Sequence, residues 1–228
     1  MDGSPQSMIA AVFDLDGTLY TGHIVHGIAR HHRIHRVKRT RFYFYMAAHL
    51  ALWPWWRCGL LSEASFRELW ARHLGWTVRG WTQQEAAAVF SWVAEEYVLP
   101  LVRPEVMERV RSHRASGHRI ILVSGTLAPL LSEVGRHLGI EEVVGTPLVL
   151  SEGRYTGACE LPVCQGPGKV SRLRAYLAGS SISWPESYAY ADSHSDMPLL
   201  EEVGNPVAVH PDDKLAAHAQ ECCWQIIE

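Results

Sequence analysis

The ten residues from Ile9 to Thr18 constrain this chain more than any others. An apolar run, Ile9-Ala10-Ala11-Val12-Phe13, ends at Asp14-Leu15-Asp16-Gly17-Thr18. A short apolar run that stops at turn residues reads as a buried strand of a parallel sheet, here Ile9 to Asp14. Open α/β sheets take ligands at the carboxyl ends of their strands, so both acids stand where a ligand belongs. Side chains alternate along a strand, which lets Asp14 and Asp16 share one side where the strand ends. Two clustered carboxylates raise each other's pKa unless a cation lies between them. Mg²⁺, a hard ion that takes oxygen ligands, suits such a pair; two solvated acids in a surface turn are the plainer alternative.

Further along, strands and helices alternate. Arg119 to Val123 is an apolar strand, and Ser124-Gly125-Thr126 is expected to open a helix running to Leu138. Val143 to Leu150 and Arg154 to Ala158 flank Ser151-Glu152-Gly153 as a hairpin. Gly168 to Leu177 reads as a helix, Ser187 to Ala191 as a strand leading into Asp192-Ser193-His194-Ser195-Asp196. Met197 to Glu202 and Asp212 to Ala219 read as helices, Pro206 to Val209 and Trp224 to Ile227 as strands. Between His23 and Pro100 the pattern is instead helical and aromatic-rich, with one helix capped near Ser62 and another from Gln83 to Val98, stopped at Pro100. The organisation is an α/β core from residues 1–20 and 101–228, interrupted after its first strand by a helical insert over residues 21–100.

At 228 residues, 47% hydrophobic and 20% charged, the chain can bury a sizeable core. It has no apolar run long enough to span a bilayer. The polar stretch Met1 to Met8 lacks the form of a signal peptide. Five cysteines without CxxC spacing argue against a disulfide framework or a structural zinc site and suit a reducing cytoplasm; Cys222-Cys223 are expected to pack as small apolar residues. The net charge of −3 hides an asymmetry: no acid occurs between Gly17 and Ser62, a stretch holding Arg30, Arg33, Arg36, Lys38, Arg39, Arg41 and Arg57 and six of the 13 histidines. Setting those seven positive charges aside leaves −10 for the remainder. The stretch favours anionic ligands.

Asp14-Leu15-Asp16-Gly17-Thr18-Leu19 resembles the first motif of the haloacid dehalogenase (HAD) superfamily, mostly phosphatases and phosphotransferases. Ser124-Gly125-Thr126, Gly168-Lys169 and Asp192-Ser193-His194-Ser195-Asp196 are similar to its later motifs, in the same order. The runs Gly145-Thr146-Pro147-Leu148, Tyr155-Thr156-Gly157, Gly166-Pro167-Gly168-Lys169-Val170 and Gly204-Asn205-Pro206-Val207-Ala208-Val209 are similar to subfamily IB, the phosphoserine-phosphatase-like hydrolases. The resemblance implies a Rossmann-like HAD core with a parallel sheet and a helical C1 cap inserted after strand 1. It implies a Mg²⁺-dependent phosphomonoesterase in which Asp14 attacks phosphorus to form an aspartyl-phosphate. Asp16 would act as acid and then base, with its backbone carbonyl as a metal ligand. Ser124, the Gly125 amide and Lys169 would bind the phosphoryl oxygens at a helix start. Asp192 would complete the metal site with Asp14 and Asp16, and Asp196 would hold metal-bound water or orient Lys169. Taken singly, Ser124 reads as an ordinary helix cap and Lys169 as a solvated lysine.

Relatives specific for phosphoserine grip its amino and carboxyl groups with a Glu after the first motif and a cap Arg. Here the matching positions are His23, which carries no fixed negative charge, and a hydrophobic residue near Leu69, with Arg67 and Arg72 as neighbouring substitutes. The usual grip on phosphoserine is thus not reproduced; the expected substrate is a small-molecule phosphate ester, with phosphoserine, a lipid phosphate and other esters all left open. Arg30 to Arg41, followed by Phe42 to Trp56, allows two readings. One is a cap helix with its core face buried and its basic face wet. The other is a membrane-surface or lipid-phosphate site. Nucleic acid is disfavoured by the acidic overall balance and the lack of a binding motif. His31, His32 and His35, flanked by arginines, suggest a solvated face rather than a cation site. A phosphotransferase passing phosphate to an alcohol, and a binding module without turnover, are the rival functions.

Overall fold

A computed structural model of the chain describes residues 7–37 and 39–228; Lys38 and the polar residues through Gln6 lie outside the described residues. Strand β1 (Ala10–Phe13) is buried at every position and lies in the middle of a six-stranded sheet. Its neighbours are β2 (Arg119–Leu127), paired as Ala10↔Arg119 to Phe13↔Leu122, and β6 (Tyr188–Ala191), paired as Ala11↔Tyr188 to Phe13↔Tyr190. Beyond β2 lies β3 (Glu142–Thr146); beyond β6 come β7 (Asn205–Val209) and β8 (Gln225–Ile227), and all pairings are parallel. The order β3-β2-β1-β6-β7-β8 makes successive strands step away from β1 in both directions. The chain reverses its direction of winding between β1 and β6, and a crevice opens at such a point.

Two apolar layers cover the sheet. One holds Ala11, Phe13, Leu122, Leu130, Leu131 and Val134; the other holds Val12, Ile121, Val123, Leu173, Leu199 and Leu215. Helix α6 (Ala128–Leu138) shows why its sequence folds so: Leu130, Leu131, Val134 and Leu138 recur at helical spacing and are buried, and Gly139, at φ +68°, ends the helix. The insert between β1 and β2 contains α1 (Ile24–Ile34), α2 (Arg39–Arg57), α3 (Glu63–His73) and α4 (Gln83–Val93), followed by α5 (Pro104–Ala115) on the return to the sheet. Ser62 accepts from the Ser65 amide at the start of α3, as its sequence suggests, and Thr82 with Glu85 forms a capping box on α4. No helix among the described residues is long and apolar enough to cross a membrane.

Several expectations are corrected. Val143 to Leu150 is not one strand: β3 ends at Thr146, and β4 (Leu148–Ser151) pairs antiparallel with β5 (Arg154–Cys159) in a separate hairpin. Pro147, between them, has no N–H to carry a ladder onward. That hairpin bonds to the insert, with the Gly80 amide donating to the Tyr155 carbonyl and the Tyr155 amide to the Trp81 carbonyl. His31 and His32 are buried, not solvated; His31 packs on Trp92 and His32 near Trp81. Burial pushes the His31 imidazole down to about 4. Cys222 and Cys223 are exposed because they lie in the turn leaving α9 (Asp213–Glu221), where Cys223 has φ +54°. Gln83 to Val98 keeps its helical path but widens into a π-helical turn from Ala94 to Val98 before Pro100.

Candidate active site

β1 delivers Asp14 and β6 delivers Asp192 to the crevice between them. Asp14 is buried, with Lys169 Nζ 2.5 Å from its Oδ1; the same ammonium lies 2.7 Å from Asp196 Oδ1. Thr18 Oγ1 lies 3.4 Å from Asp14 Oδ2 and 3.3 Å from Asp192 Oδ1, within donating reach of either. Gly17, at φ +81°, is the one residue that fits the turn after Asp16, since a Cβ there would land inside the Asp192 carboxylate. Lys169 is in the first turn of α7 (Pro167–Tyr176), yet it is buried rather than solvated. Gly168 makes this possible: any side chain there would strike the Val163 carbonyl, against which the helix start is pressed.

Asp16 faces another way. Its Oδ1 accepts from Tyr20 Oη at 2.6 Å and from the Ile24 amide at 2.8 Å, at the N-terminus of α1. Both bonds fall on Oδ1, which is turned toward Tyr20 and the start of α1. Ser124 and Thr126 are buried, and the Thr126 amide donates to Ser124 Oγ at 3.1 Å. Contrary to expectation, they do not open a helix. β2 runs on to Leu127 with an irregular register against β3 after Val123, and α6 starts at Ala128. Pro129 is confined to the first turn of a helix, so it holds the start to this point. Ser124, Gly125 and Thr126 thus present strand-end hydroxyls and amides ahead of the helix.

All the expected site residues except the most loosely placed ones line one cavity of about 420 Å³: Asp14, Asp16, Ser124, Gly125, Lys169, Asp192 and Asp196 on its floor, His23 and Arg67 on the insert side. Leu69 and Arg72 do not line it; the Leu69 carbonyl instead faces His49 at 3.3 Å. The four carboxylates outnumber the single lysine, and burial shifts three of them upward. It raises Asp14 well above the ordinary carboxylate range, against the pull of Lys169. It raises Asp16 too, opposed by the Tyr20 hydrogen bond. Asp192 goes up to about 6 through burial and the nearby Asp196 charge. Burial works against the Lys169 ammonium as well, but Asp14 and Asp196 outweigh it and hold its pKa above the usual amine range.

This surplus of buried negative charge is what a divalent cation would relieve. Carboxylate oxygens of Asp14, Asp192 and Asp196 lie within 4.8 Å of one another, an all-oxygen set suited to a hard ion. The charge surplus has a testable effect. Asp192 binds its proton more tightly folded than unfolded, so its contribution to stability falls as pH rises from its ordinary value of 3.8 through about 6. Asp192→Asn is expected to raise the thermal midpoint of the metal-free protein, by more above pH 6 than below it. A gain that is the same on both sides would show that the Asp192 charge is not the cause.

The HAD model, described as haloacid dehalogenase-like hydrolase, matches residues 11–201. The chain belongs to the haloacid dehalogenase-like hydrolase family. It is similar to the inhibition of morphological differentiation protein of Streptomyces azureus, 31% identical over 151 residues, covering 66% of this chain and 54% of that one, so the match spans about half of that relative. It is 34% identical to the histidinol-phosphatase of Neisseria meningitidis serogroup C over 151 residues, covering 64% and 68% of the two chains. It is 26% identical to a phosphoserine phosphatase of Mycobacterium tuberculosis over 223 residues, covering 95% and 70%. Among solved structures, a protein with unknown function from Bordetella pertussis Tohama I superposes with a TM-score of 0.81 at 28% identity, covering 98% and 99%.

Within this HAD site the structure adds residues that motif reading passes over. Thr18, Tyr20 and Gln165 shape the floor: Thr18 spans two aspartates, Tyr20 orients Asp16, and Gln165 Nε2 donates to Ser195 Oγ at 3.2 Å. Thr126 lines the cavity with its buried Oγ1 lacking a hydrogen-bond partner. Thr18 and Thr126 were visible inside the motifs; Tyr20 and Gln165 carry no local signal. The insert side is aromatic, with Tyr45, Trp56, Phe66 and Trp70 in the wall and Trp56 stacked on Phe66 at 5.4 Å.

Proposed function

We propose that this HAD-family phosphatase hydrolyses a small phosphomonoester in two steps at Asp14, under a cap formed by residues 21–100. The observation that carries this reading is the buried Asp14–Lys169–Asp196 arrangement opposite Ser124, Gly125 and Thr126 in one cavity. Asp14 attacks phosphorus and the ester oxygen leaves, taking a proton from Asp16, whose carboxyl burial shifts upward. Water then attacks the aspartyl-phosphate, Asp16 takes its proton, and Asp14 is released with inorganic phosphate. The Ser124 and Thr126 hydroxyls, the Gly125 amide and Lys169 bind the phosphoryl oxygens, and Asp196 holds Lys169 in place. Asp14, Asp192 and the Asp16 carbonyl would hold Mg²⁺, which when bound supplies further neutralisation of phosphoryl charge.

The aromatic wall favours an ester whose alcohol has a flat or apolar body. Of the relatives' names, histidinol-phosphatase agrees with that shape better than phosphoserine phosphatase does. Glu63 in the same wall is engaged by Arg67 at 3.1 Å and Lys214 at 2.8 Å, so it is not free to grip an ammonium. The test is phosphate release in Mg²⁺ from phosphoserine, histidinol phosphate, glycerol phosphate, sugar phosphates, nucleotides and lysophosphatidate. Esters with a ring or an acyl chain are expected to exceed phosphoserine in kcat/KM by about tenfold or more, the scale of one well-buried apolar group. Preference for phosphoserine would overturn the substrate assignment. No release from any ester would overturn the activity.

A further inference from the structure

The cap carries a feature that phosphate chemistry does not use. Helix α2 buries only Tyr45 and His49 fully. Its outward face runs through Tyr43, Phe44, Ala47, Leu50, Ala51 and Pro54, with Trp53 and Trp55 on its flanks. Tyr43, Phe44, Leu50, Trp53 and Trp55 are each 49–64% exposed. The reading of a wet basic face does not hold: the wet face of this helix is apolar. The positive charge lies beside it, on exposed Arg30, Arg33, Arg36 and Arg57. Between α1 and α2 a second cavity of about 420 Å³ is lined by Arg30, Arg33, Arg39, His26 and His32, next to Tyr43, with no carboxylate in its lining. Arg39 gives one N–H to the Arg33 carbonyl at 2.9 Å, while its Nε is buried without a hydrogen-bond partner.

We propose that this face docks on an anionic lipid bilayer: α2 lies flat at the interface with its aromatic side chains in the headgroup–acyl boundary, and the arginine cavity between α1 and α2 takes a lipid phosphate. Several features select this occupant. Large apolar side chains exposed along a helix of 19 residues form a patch that needs a cover. Trp and Tyr bordered by arginines match a polar, negatively charged interface, where the rings sit among headgroups and the guanidinium groups meet phosphate. A second copy of the chain suits it less. Two such faces brought together would oppose two rims drawn from a stretch with no acid from residue 17 to residue 62. Trp56, in the last turn of the same helix, is in the wall of the catalytic cavity, so docking would place that cavity close to the bilayer. The proposal does not depend on the catalytic assignment, and its test reads binding.

The experiment is co-sedimentation of the full chain with vesicles of phosphatidylcholine alone or with added phosphatidylglycerol, at low and high salt, with tryptophan emission recorded alongside. Binding is expected with phosphatidylglycerol only, accompanied by a blue shift and weakened by salt. Phe44→Ser with Trp53→Ser should lower vesicle affinity about tenfold or more, and Arg30→Gln with Arg33→Gln should remove the phosphatidylglycerol dependence. The thermal midpoint should be unchanged in both variants, which reports that they fold. Soluble glycerol phosphate in excess should not release the protein; full release by it would show a site for free phosphate esters and overturn bilayer docking. No binding to anionic vesicles, equal binding to neutral ones, or a stable dimer that loses its self-association in the Phe44/Trp53 variant and ignores vesicles would each overturn it too. If a variant fails to fold, the lipid and salt dependence of the unaltered chain decides the matter.

Discussion

Asp14→Asn is expected to abolish phosphate release while leaving the protein folded and, without metal, no less stable. An amide oxygen is a poor nucleophile toward phosphorus, so kcat should fall by at least about 10⁴-fold on every ester. The stability half of the expectation comes from burial. Asp14 is held well above the ordinary carboxylate range because desolvation outweighs the attraction of Lys169. Its folded pKa therefore exceeds its unfolded one, and the ionised group opposes folding once pH passes that window. Asn keeps the shape and removes the charge, and Lys169 retains Asp196 at 2.7 Å. Phosphate release and thermal unfolding in chelator check both halves. Retained turnover would refute the role of Asp14, and a large drop in thermal midpoint would refute the view that its charge is costly in the fold.

Lys169→Met should have the opposite balance, losing both activity and stability. The side chain is buried and is the one lysine or arginine among the residues lining the floor of the catalytic cavity. Its removal leaves Asp14 and Asp196 facing each other without a shared cation, and breaking a buried pair from one side typically costs about 3–5 kcal/mol. The carboxylates can escape part of that cost by taking a proton. The loss of thermal midpoint should therefore be larger at alkaline than at acid pH, and excess Mg²⁺ should restore stability without restoring the rate. Activity should fall by about 10³-fold or more, since the phosphoryl oxygens lose a preorganised cation. A variant as stable as the parent at alkaline pH would show that Lys169 does not compensate these acids.

Why the catalytic floor was legible and the cap was not is a matter of how locally each is specified. Asp14, Asp16 and Asp192 sit at strand ends that short runs of apolar and turn residues mark by themselves, whereas Lys169 and Asp196 were named through the order of the resembled motifs. The first strand, the parallel core and the place of the insert followed in the same way. Errors arose where a neighbour decides. Ser124-Gly125-Thr126 resembles a helix opening, but Pro129 and the Thr146 hydroxyl, which donates to the Gly125 carbonyl at 3.0 Å, keep it extended. His31 and His32 look solvated among arginines until Trp92 and Trp81 are packed beside them.

The linear order of residues therefore determined the acids at the ends of β1 and β6 and the sheet that carries them, because a strand's hydrophobicity and the acids at its end are properties of a few consecutive positions. Only the tertiary structure decided which way Asp16 turns, that Lys169 is buried between two acids, that an aromatic wall faces the catalytic cavity, and which side of α2 is left open. Each of those depends on groups from distant parts of the chain meeting, and α2 in particular is apolar around most of its circumference. A helix of that kind carries no periodic signal for its buried side; the elements packed against it choose the side, and the remainder faces outward.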